Sequence, residues 1–211
     1  YAHFLNYGLK LKEREEGEFS SLDIGNIYHA ALERYSSKLE AGQDDWFTIN
    51  DNDRKKLTVQ AIEETIEGYP GIGEYMTAQD LHQIEQMKKV FDQTVWALTV
   101  QIRKGRFIPK DFEVSFSQNL RSDAGEVTLK GRIDRVDLFK DDGKLYVKIL
   151  DYKSGNTAFD LVKIYYGTQL QLAVYMDCVL KQKEKENPLL EVMPGGMLYY
   201  HIDDPVIDLG D

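Results

Sequence analysis

Residues 129–155 read LKGRIDRVDLFKDDGKLYVKILDYKSG, and this stretch decides the fold. Apolar and polar residues alternate on both sides of Asp142-Gly143, a dipeptide typical of the two-residue turn that joins antiparallel strands. Counting outward from this turn predicts the cross-strand pairs Asp141–Lys144, Leu138–Val147, Val136–Ile149 and Asp134–Asp151. The two apolar pairs share one face of the sheet, which favours this register.

The last of these pairs places two carboxylates opposite each other at the end of an apolar hairpin. The Cβ atoms of Asp134 and Asp151 would be roughly 4.5–5.5 Å apart, and Lys153 points to the same face. Facing carboxylates repel each other and lose hydration, so a positive charge must offset them. Lys153 is one candidate and a divalent metal is the other. Oxygen ligands favour Mg²⁺ or Mn²⁺.

Two carboxylates, a metal and a lysine suit phosphodiester hydrolysis. The metal acidifies a bound water, and the lysine stabilises the charge that develops during the reaction. Asp-x-Lys occurs three times, at 53–55, 142–144 and 151–153. The first lies at a predicted helix start and the second in the turn. Only the third follows an apolar strand and faces another carboxylate, which favours a functional site over a surface salt bridge.

The rest of the chain predicts an α/β fold with a mixed central sheet flanked by helices. The further predicted elements are a helix at 20–42, helices within 51–106 with a break at 70–73, a strand at 111–118, a helix at 157–186 and a last strand at 196–202, with breaks at 187–188 and 194–196. We expect a single domain with an opening segment and first core helix at 1–44, a helical insertion at 45–106, and the sheet with its helix and last strand at 107–211.

Bulk composition narrows the functional classes. The net charge of −10 argues against a free-standing binder of duplex DNA, although a local metal site with a basic channel from a partner remains compatible with it. The single cysteine, Cys178, cannot form an internal disulfide, so we expect a reducing, cytoplasmic compartment. No apolar run approaches the roughly 18 residues of a membrane span, and we expect no membrane partner.

Four segments together resemble a known family. GRIDRVD, DYKSG, QLQLAVY and, ahead of them, GNIYH resemble the RecB-type nuclease motif of the PD-(D/E)xK superfamily. FLNYGLKLKERE, LDIGNIYHAALERY, YYGTQLQLAVYMD and PGGMLYYHIDDP are more similar still to the C-terminal nuclease domain of the B subunit of AddAB-type helicase–nucleases. The resemblance implies a restriction-endonuclease-like core and Mg²⁺- or Mn²⁺-dependent cleavage of DNA.

The same resemblance implies roles for individual residues. His29, Asp134 and Asp151 would be metal ligands, the backbone carbonyl of Tyr152 would complete the metal shell, and Lys153 would be the catalytic lysine. Without the other motifs, His29 would be interpreted as a histidine packed in the core rather than as a metal ligand.

Gln171 and Tyr175 match the family's Gln-x-x-x-Tyr motif, which lies against the site and the DNA strand. Gln169 is an alternative candidate for the glutamine of this motif. A tyrosine in an amphipathic helix usually packs against the core, which is the alternative for Tyr175. Strand alternation places Glu113 on the polar side of its strand, where it could be an extra site carboxylate, although a solvated residue is favoured. Arg132 and Arg135 flank Asp134 and are either phosphate ligands or surface charges, and Cys178 is expected to be a buried small apolar residue.

The resemblance also implies partners and a second cofactor. The family usually holds a 4Fe–4S cluster with four cysteines, but one cysteine cannot hold such a cluster. We therefore expect a piece of a longer chain, working with an AddA-like partner on single-stranded DNA from an unwound duplex during double-strand break repair. No phosphate-binding Gly-x-x-x-x-Gly-Lys-Ser/Thr loop is present, so a motor would lie elsewhere.

Two hypotheses from other classes compete with an enzyme. A non-catalytic nuclease-fold module would organise or guide DNA, but such modules typically lose the ligands that are present here at His29, Asp134, Asp151 and Lys153. A plain acidic interaction domain would make the joint spacing of the motifs a coincidence. The sequence therefore favours catalysis.

Overall fold

The structure is a computed structural model that describes residues 19–42, 44–70, 77–122, 125–155 and 158–202. The opening segment at 1–15 and the final Asp203-Asp204-Pro205 of the last family-like segment lie outside the described residues.

Three capped helices form one half of the molecule. α1 spans Ser21–Ala41 and begins at a capping box, in which the Ser20 side chain accepts from the Asp23 N–H and the Asp23 carboxylate accepts from the Ser20 N–H. α2 spans Asp51–Glu67 and α3 spans Ala78–Lys104, each also begun by a side-chain cap. These helices confirm the predicted helices at 20–42 and within 51–106.

The other half is a four-stranded sheet. The strands are β1 at Ile108–Ser122, β2 at Gly125–Asp141, β3 at Lys144–Lys153 and β4 at Glu191–His201, and they lie in that order across the sheet. β1, β2 and β3 are antiparallel, whereas β4 runs parallel to β3. The predicted mixed sheet is confirmed.

The hairpin register agrees with the sequence prediction. Asp141 pairs with Lys144, and the two predicted apolar pairs follow it. Asp142 and Gly143 have φ values of 43° and 74°, as a type I′ turn requires. The ladder ends at the pair Arg135–Leu150, one step before the two aspartates.

The predicted break at 194–196 is wrong, because these residues lie inside β4. Pro194 pairs with Val147 and Gly196 with Lys148, so Gly195 is the extra residue of a bulge. A Cβ at Gly195 would lie 2.7 Å from the Phe107 ring, which explains why glycine serves here.

The predicted helix at 157–186 is in fact two helices. α4 spans only Leu161–Tyr165 and α5 spans Gln171–Glu186. Gly167, with a φ of +74°, interrupts the helical backbone between them.

Two apolar clusters lie on the two sides of the sheet. α5 packs against one face through Leu172, Met176 and Val179. The three long helices form the other cluster, which Tyr152 and Ile202 join from the end of β3 and beyond β4. The end of β3 therefore lies where the helical layer meets the sheet. In the described part of the chain, each helix is too short or too polar to cross a membrane.

Candidate active site

His29 on α1 lies against the ends of the central strands. Its Nδ1 is 3.2 Å from Oδ1 of Asp134 and 3.6 Å from Oε1 of Glu113, and its Nε2 is 3.1 Å from the carbonyl oxygen of Tyr152. One turn earlier on α1, a Cβ at Gly25 would lie 3.0 Å from Oγ of Ser154. The glycine of the Gly-x-x-x-His segment therefore permits the close approach of α1 to the end of β3.

The electrostatics of His29 follow from these contacts. Burial lowers its pKa, but the hydrogen bonds and charges of Asp134 and Glu113 together raise the pKa from 6.5 to about 10. Both ring nitrogens face acceptors, which fits the doubly protonated imidazolium. A cation bound between the carboxylates would replace this positive charge.

Glu113 lies at the site, and its predicted assignment to solvent is wrong. Only 8% of its side chain is exposed, and Oε2 lies 2.6 Å from Nε of Arg132. Its φ of 51° is rare for a residue with a side chain. Glu113 lies between the pairs Phe112–Arg135 and Val114–Ile133, which places it opposite Asp134. Strand alternation alone could not predict this, because it does not say which residue of β2 lies opposite Glu113.

Asp134 completes a cluster of three potential ligands. His29, Glu113 and Asp134 each offer one ligand atom, and these atoms lie within 4.8 Å of one another. The second oxygen of Asp134, Oδ2, accepts from the N–H of Tyr152 at 2.6 Å. The donor set of one imidazole and two carboxylates, beside a backbone carbonyl, fits a small divalent cation.

Asp151 lies outside that triad and belongs to a second, adjoining group. Its Oδ2 is 2.6 Å from Nζ of Lys153, and its Oδ1 accepts from Nε2 of Gln171 at 2.9 Å. Burial raises the pKa of Asp151 and the charge of Asp134 adds to this, whereas Lys153 opposes the rise. Asp151 immediately precedes Tyr152, whose N–H and carbonyl contact Asp134 and His29, so the second group adjoins the triad.

The Gln-x-x-x-Tyr residues meet this second group at the start of α5. Gln171 also donates to the hydroxyl of Tyr175 at 3.0 Å. The Tyr175 ring packs edge-on against Phe116, and a Cβ at Gly131 would lie 3.2 Å from the Tyr175 ring. The side chain of Gln169 does not contact Asp151 in these hydrogen bonds, since it accepts from the N–H of Asp160 and donates to the carbonyl of Ala158.

The two arginines beside Asp134 have different environments. Arg132 is 63% exposed and pairs with Glu113 at the site. Arg135 is only 1% exposed, so the expectation of a phosphate ligand or surface charge is wrong for it. The guanidinium is paired internally with Asp137, and it also contacts the hydroxyl of the buried Tyr152, which belongs to the helical cluster. Cys178 is half-buried on α5 rather than fully buried.

Comparison with known proteins gives the class to which this site belongs. The model of the PD-(D/E)XK nuclease superfamily matches residues 1–208. The chain belongs to this superfamily.

Within this superfamily, the chain is similar to the B subunits of helicase/deoxyribonucleases. Over 98% of its length the chain is 40% identical to the B subunit of an ATP-dependent helicase/deoxyribonuclease from Lachnoclostridium phytofermentans, covering 18% of that protein. It is 36% and 35% identical to proteins of the same name from Alkaliphilus metalliredigens and Alkaliphilus oremlandii, covering 19% of each. The chain thus spans about a fifth of the relatives' length and is homologous to a nuclease domain of these subunits. A four-cysteine cluster does not fit this chain, which has one cysteine.

Proposed function

We propose that this chain is a Mg²⁺- or Mn²⁺-dependent DNase domain. The observation that supports this most is the convergence of His29, Glu113 and Asp134 from three elements into one ligand cluster. The cluster lies beside Asp151 and Lys153, which share a contact of 2.6 Å.

The residues present would hold the cation as follows. His29, Asp134 and Glu113 offer ligand atoms from the triad, with the Tyr152 carbonyl and Asp151 beside them. When bound, such a cation lowers the pKa of a coordinated water and neutralises phosphate charge.

Lys153, Gln171 and Arg132 would orient the other groups of the site and balance their charge. The ammonium of Lys153 lies against Asp151, where it can stabilise negative charge that develops on a phosphate. Gln171 fixes the other oxygen of Asp151, and its contact with Tyr175 extends the polar surface along α5. The side chain of Arg132 is largely exposed and can contact a neighbouring phosphate.

The relatives' names support a proposal for the substrate and the partner. They are named as subunits of ATP-dependent helicase/deoxyribonucleases, so we propose that this domain cuts a DNA strand released by a partner's motor during double-strand break processing. The chain's net charge of −10 agrees with delivery of the strand by a partner rather than by capture from solution.

The experiment is a Mn²⁺ titration by calorimetry, paired with cleavage of labelled single-stranded DNA. We expect the unaltered chain to bind Mn²⁺ at one discrete site. Asp134→Asn should abolish both this binding and the cleavage of DNA. Asp141→Asn is the matched control, because Asp141 lies on the same strand but beside Arg106 at the turn end. Equal titrations of Asp134→Asn and the unaltered chain would reject the metal site. Binding without cleavage would favour a non-catalytic module that guides DNA.

A further inference from the structure

Tyr152 has three polar groups, and each contacts a different partner. Its N–H donates to Asp134 at 2.6 Å, and its carbonyl lies 3.1 Å from His29. Its hydroxyl accepts from Nη1 of Arg135 at 3.2 Å. The ring is buried and lies edge-on to the imidazole of His29, with centroids 5.7 Å apart. The position of one residue therefore affects two members of the ligand cluster.

The partner of the hydroxyl is itself rigidly held. Nε and Nη2 of Arg135 bond the two oxygens of Asp137 at 2.6 and 2.8 Å, a two-pronged geometry that fixes the plane of the guanidinium. Lys148 approaches the same carboxylate at 2.8 Å. Arg135 and Asp137 are 1% and 0% exposed, so water does not compete for these bonds.

Stability alone is a poor reason for such a group. Burying an ion pair costs hydration that the pairing barely offsets, and apolar residues of equal volume are often as stable. What a buried guanidinium provides is direction, because its donors lie in one plane at fixed angles. Burial also raises the pKa of Tyr152 to about 12, although Arg135 opposes the rise, so the hydroxyl stays neutral.

We propose that Arg135, held by Asp137, is a positioning residue that fixes the Tyr152 hydroxyl and so aims the backbone of Tyr152 at Asp134 and His29. Because the ring is buried and packed against His29 and Tyr200, it cannot rotate freely about its side-chain bonds, and a displacement of the ring is passed to the N–H and the carbonyl. The consequence for metal binding and cleavage rests on the proposed function. The arrangement itself is a property of the metal-free chain.

Tyr152→Phe tests the arrangement without metal. Amide hydrogen exchange, followed by NMR, is measured at residue 152 and at Phe91 in the buried middle of α3. We expect exchange at residue 152 to become about tenfold faster, equivalent to about 1.4 kcal/mol, while Phe91 changes little. The matched control is Tyr35→Phe, which removes a buried hydroxyl that has no hydrogen-bond partner among the described residues.

Two outcomes would overturn the proposal at this stage. Equal acceleration at residue 152 and Phe91 would show a loss of global stability only. Unchanged exchange at residue 152 would show that the hydroxyl does not hold the backbone. Arg135→Lys is the second variant, because an ammonium keeps the charge but not the two-pronged geometry. We expect the same selective effect from it, and it decides the matter if Tyr152→Phe does not fold.

Mn²⁺ calorimetry and steady-state cleavage then test the consequence. We expect Tyr152→Phe to weaken Mn²⁺ binding about three- to tenfold and to lower kcat without changing KM for DNA, because the hydroxyl faces Arg135 rather than substrate. Selective loss of amide protection with unchanged Mn²⁺ affinity would overturn the positioning role. Absence of any Mn²⁺ site in the unaltered chain would instead reject the proposed function, and the exchange result would stand separately.

Discussion

Lys153 bonds residues of the site through its ammonium group and is not one of the proposed metal ligands, so its contribution is separable from metal binding. Nζ lies 2.6 Å from Oδ2 of Asp151 and 3.4 Å from Oε1 of Gln171. We expect Lys153→Ala to lower the cleavage rate at least about 100-fold, the usual cost of removing one stabilising donor, and to leave Mn²⁺ affinity largely unchanged.

A cleavage assay beside a Mn²⁺ titration checks this expectation. Lys144→Ala is the control, since Lys144 lies on the same strand at the turn and pairs with Glu191. Retained cleavage in Lys153→Ala would remove Lys153 from its proposed role.

His29 leads to a pH dependence in the metal-free chain. Its pKa is about 10 in the folded protein and near 6.5 when unfolded, so the folded state binds the extra proton between these values. The stabilisation is complete below pH 6.5 and is lost as pH rises toward 10. We expect the free energy of unfolding, measured by urea denaturation with chelator, to fall from pH 6.5 to 9.

His29→Gln should flatten that decline, because the amide does not titrate. His82→Gln is the control, since His82 is an exposed residue on α3. A slope that persists in His29→Gln would assign the decline to other groups.

Two features of individual site residues, the position of Glu113 and the burial of Arg135, could not be predicted from the sequence. Glu113 lies opposite Asp134 because of the register between β1 and β2, which the sequence did not predict, and its φ of 51° is likewise not predictable from a residue pattern. Arg135 is buried beside Asp137 and Tyr152, and Tyr152 belongs to a cluster formed by helices that are distant in sequence. In contrast, the juxtaposition of Asp134 with the end of β3 was predictable, because it follows from counting residues out from one turn.

At the scale of elements, the β2–β3 hairpin turn sets the register that brings the site together. Gly143 has a φ of +74° and open space around its Cα. Gly143→Ala should therefore cost roughly 1–2 kcal/mol from backbone strain alone, without a clash. Urea denaturation measures this loss, and Gly155→Ala is the control because Gly155 also has open space but no positive φ. Equal stabilities of the two variants would contradict the turn's role.

Element boundaries were predictable where local chemistry sets them. Side-chain caps define the starts of α1, α2 and α3, and all three were near their predicted positions. The division of the helix at 157–186 and the extension of β4 through Pro194 were not predicted. Gly167 ends helical structure through its positive φ, whereas Gly195 forms a bulge that the pairing of β4 with β3 tolerates, and a lone glycine in the sequence does not distinguish these outcomes.

At the scale of the whole molecule, the chain is strongly negative although positive side chains lie at the candidate site. The net charge is −10, yet Lys153 and Arg132 bring positive charge to the site. We therefore expect the isolated chain to bind single-stranded DNA weakly and with a shallow salt dependence. Each phosphate contact on a single strand contributes about −0.7 to the slope of log K against log salt, so we expect a slope shallower than about −2.

Fluorescence anisotropy of a labelled oligonucleotide measures this slope in the unaltered chain, with chelator present to prevent cleavage. If Arg132 contacts a phosphate, Arg132→Gln should reduce the slope by about 0.7. Arg106→Gln is the matched control, because Arg106 is an exposed arginine that pairs with Asp141 at the turn end of β2. A slope steeper than about −4 would require roughly six phosphate contacts. Such a result would mean that this domain captures DNA by itself, and delivery by a partner would then be unnecessary for binding.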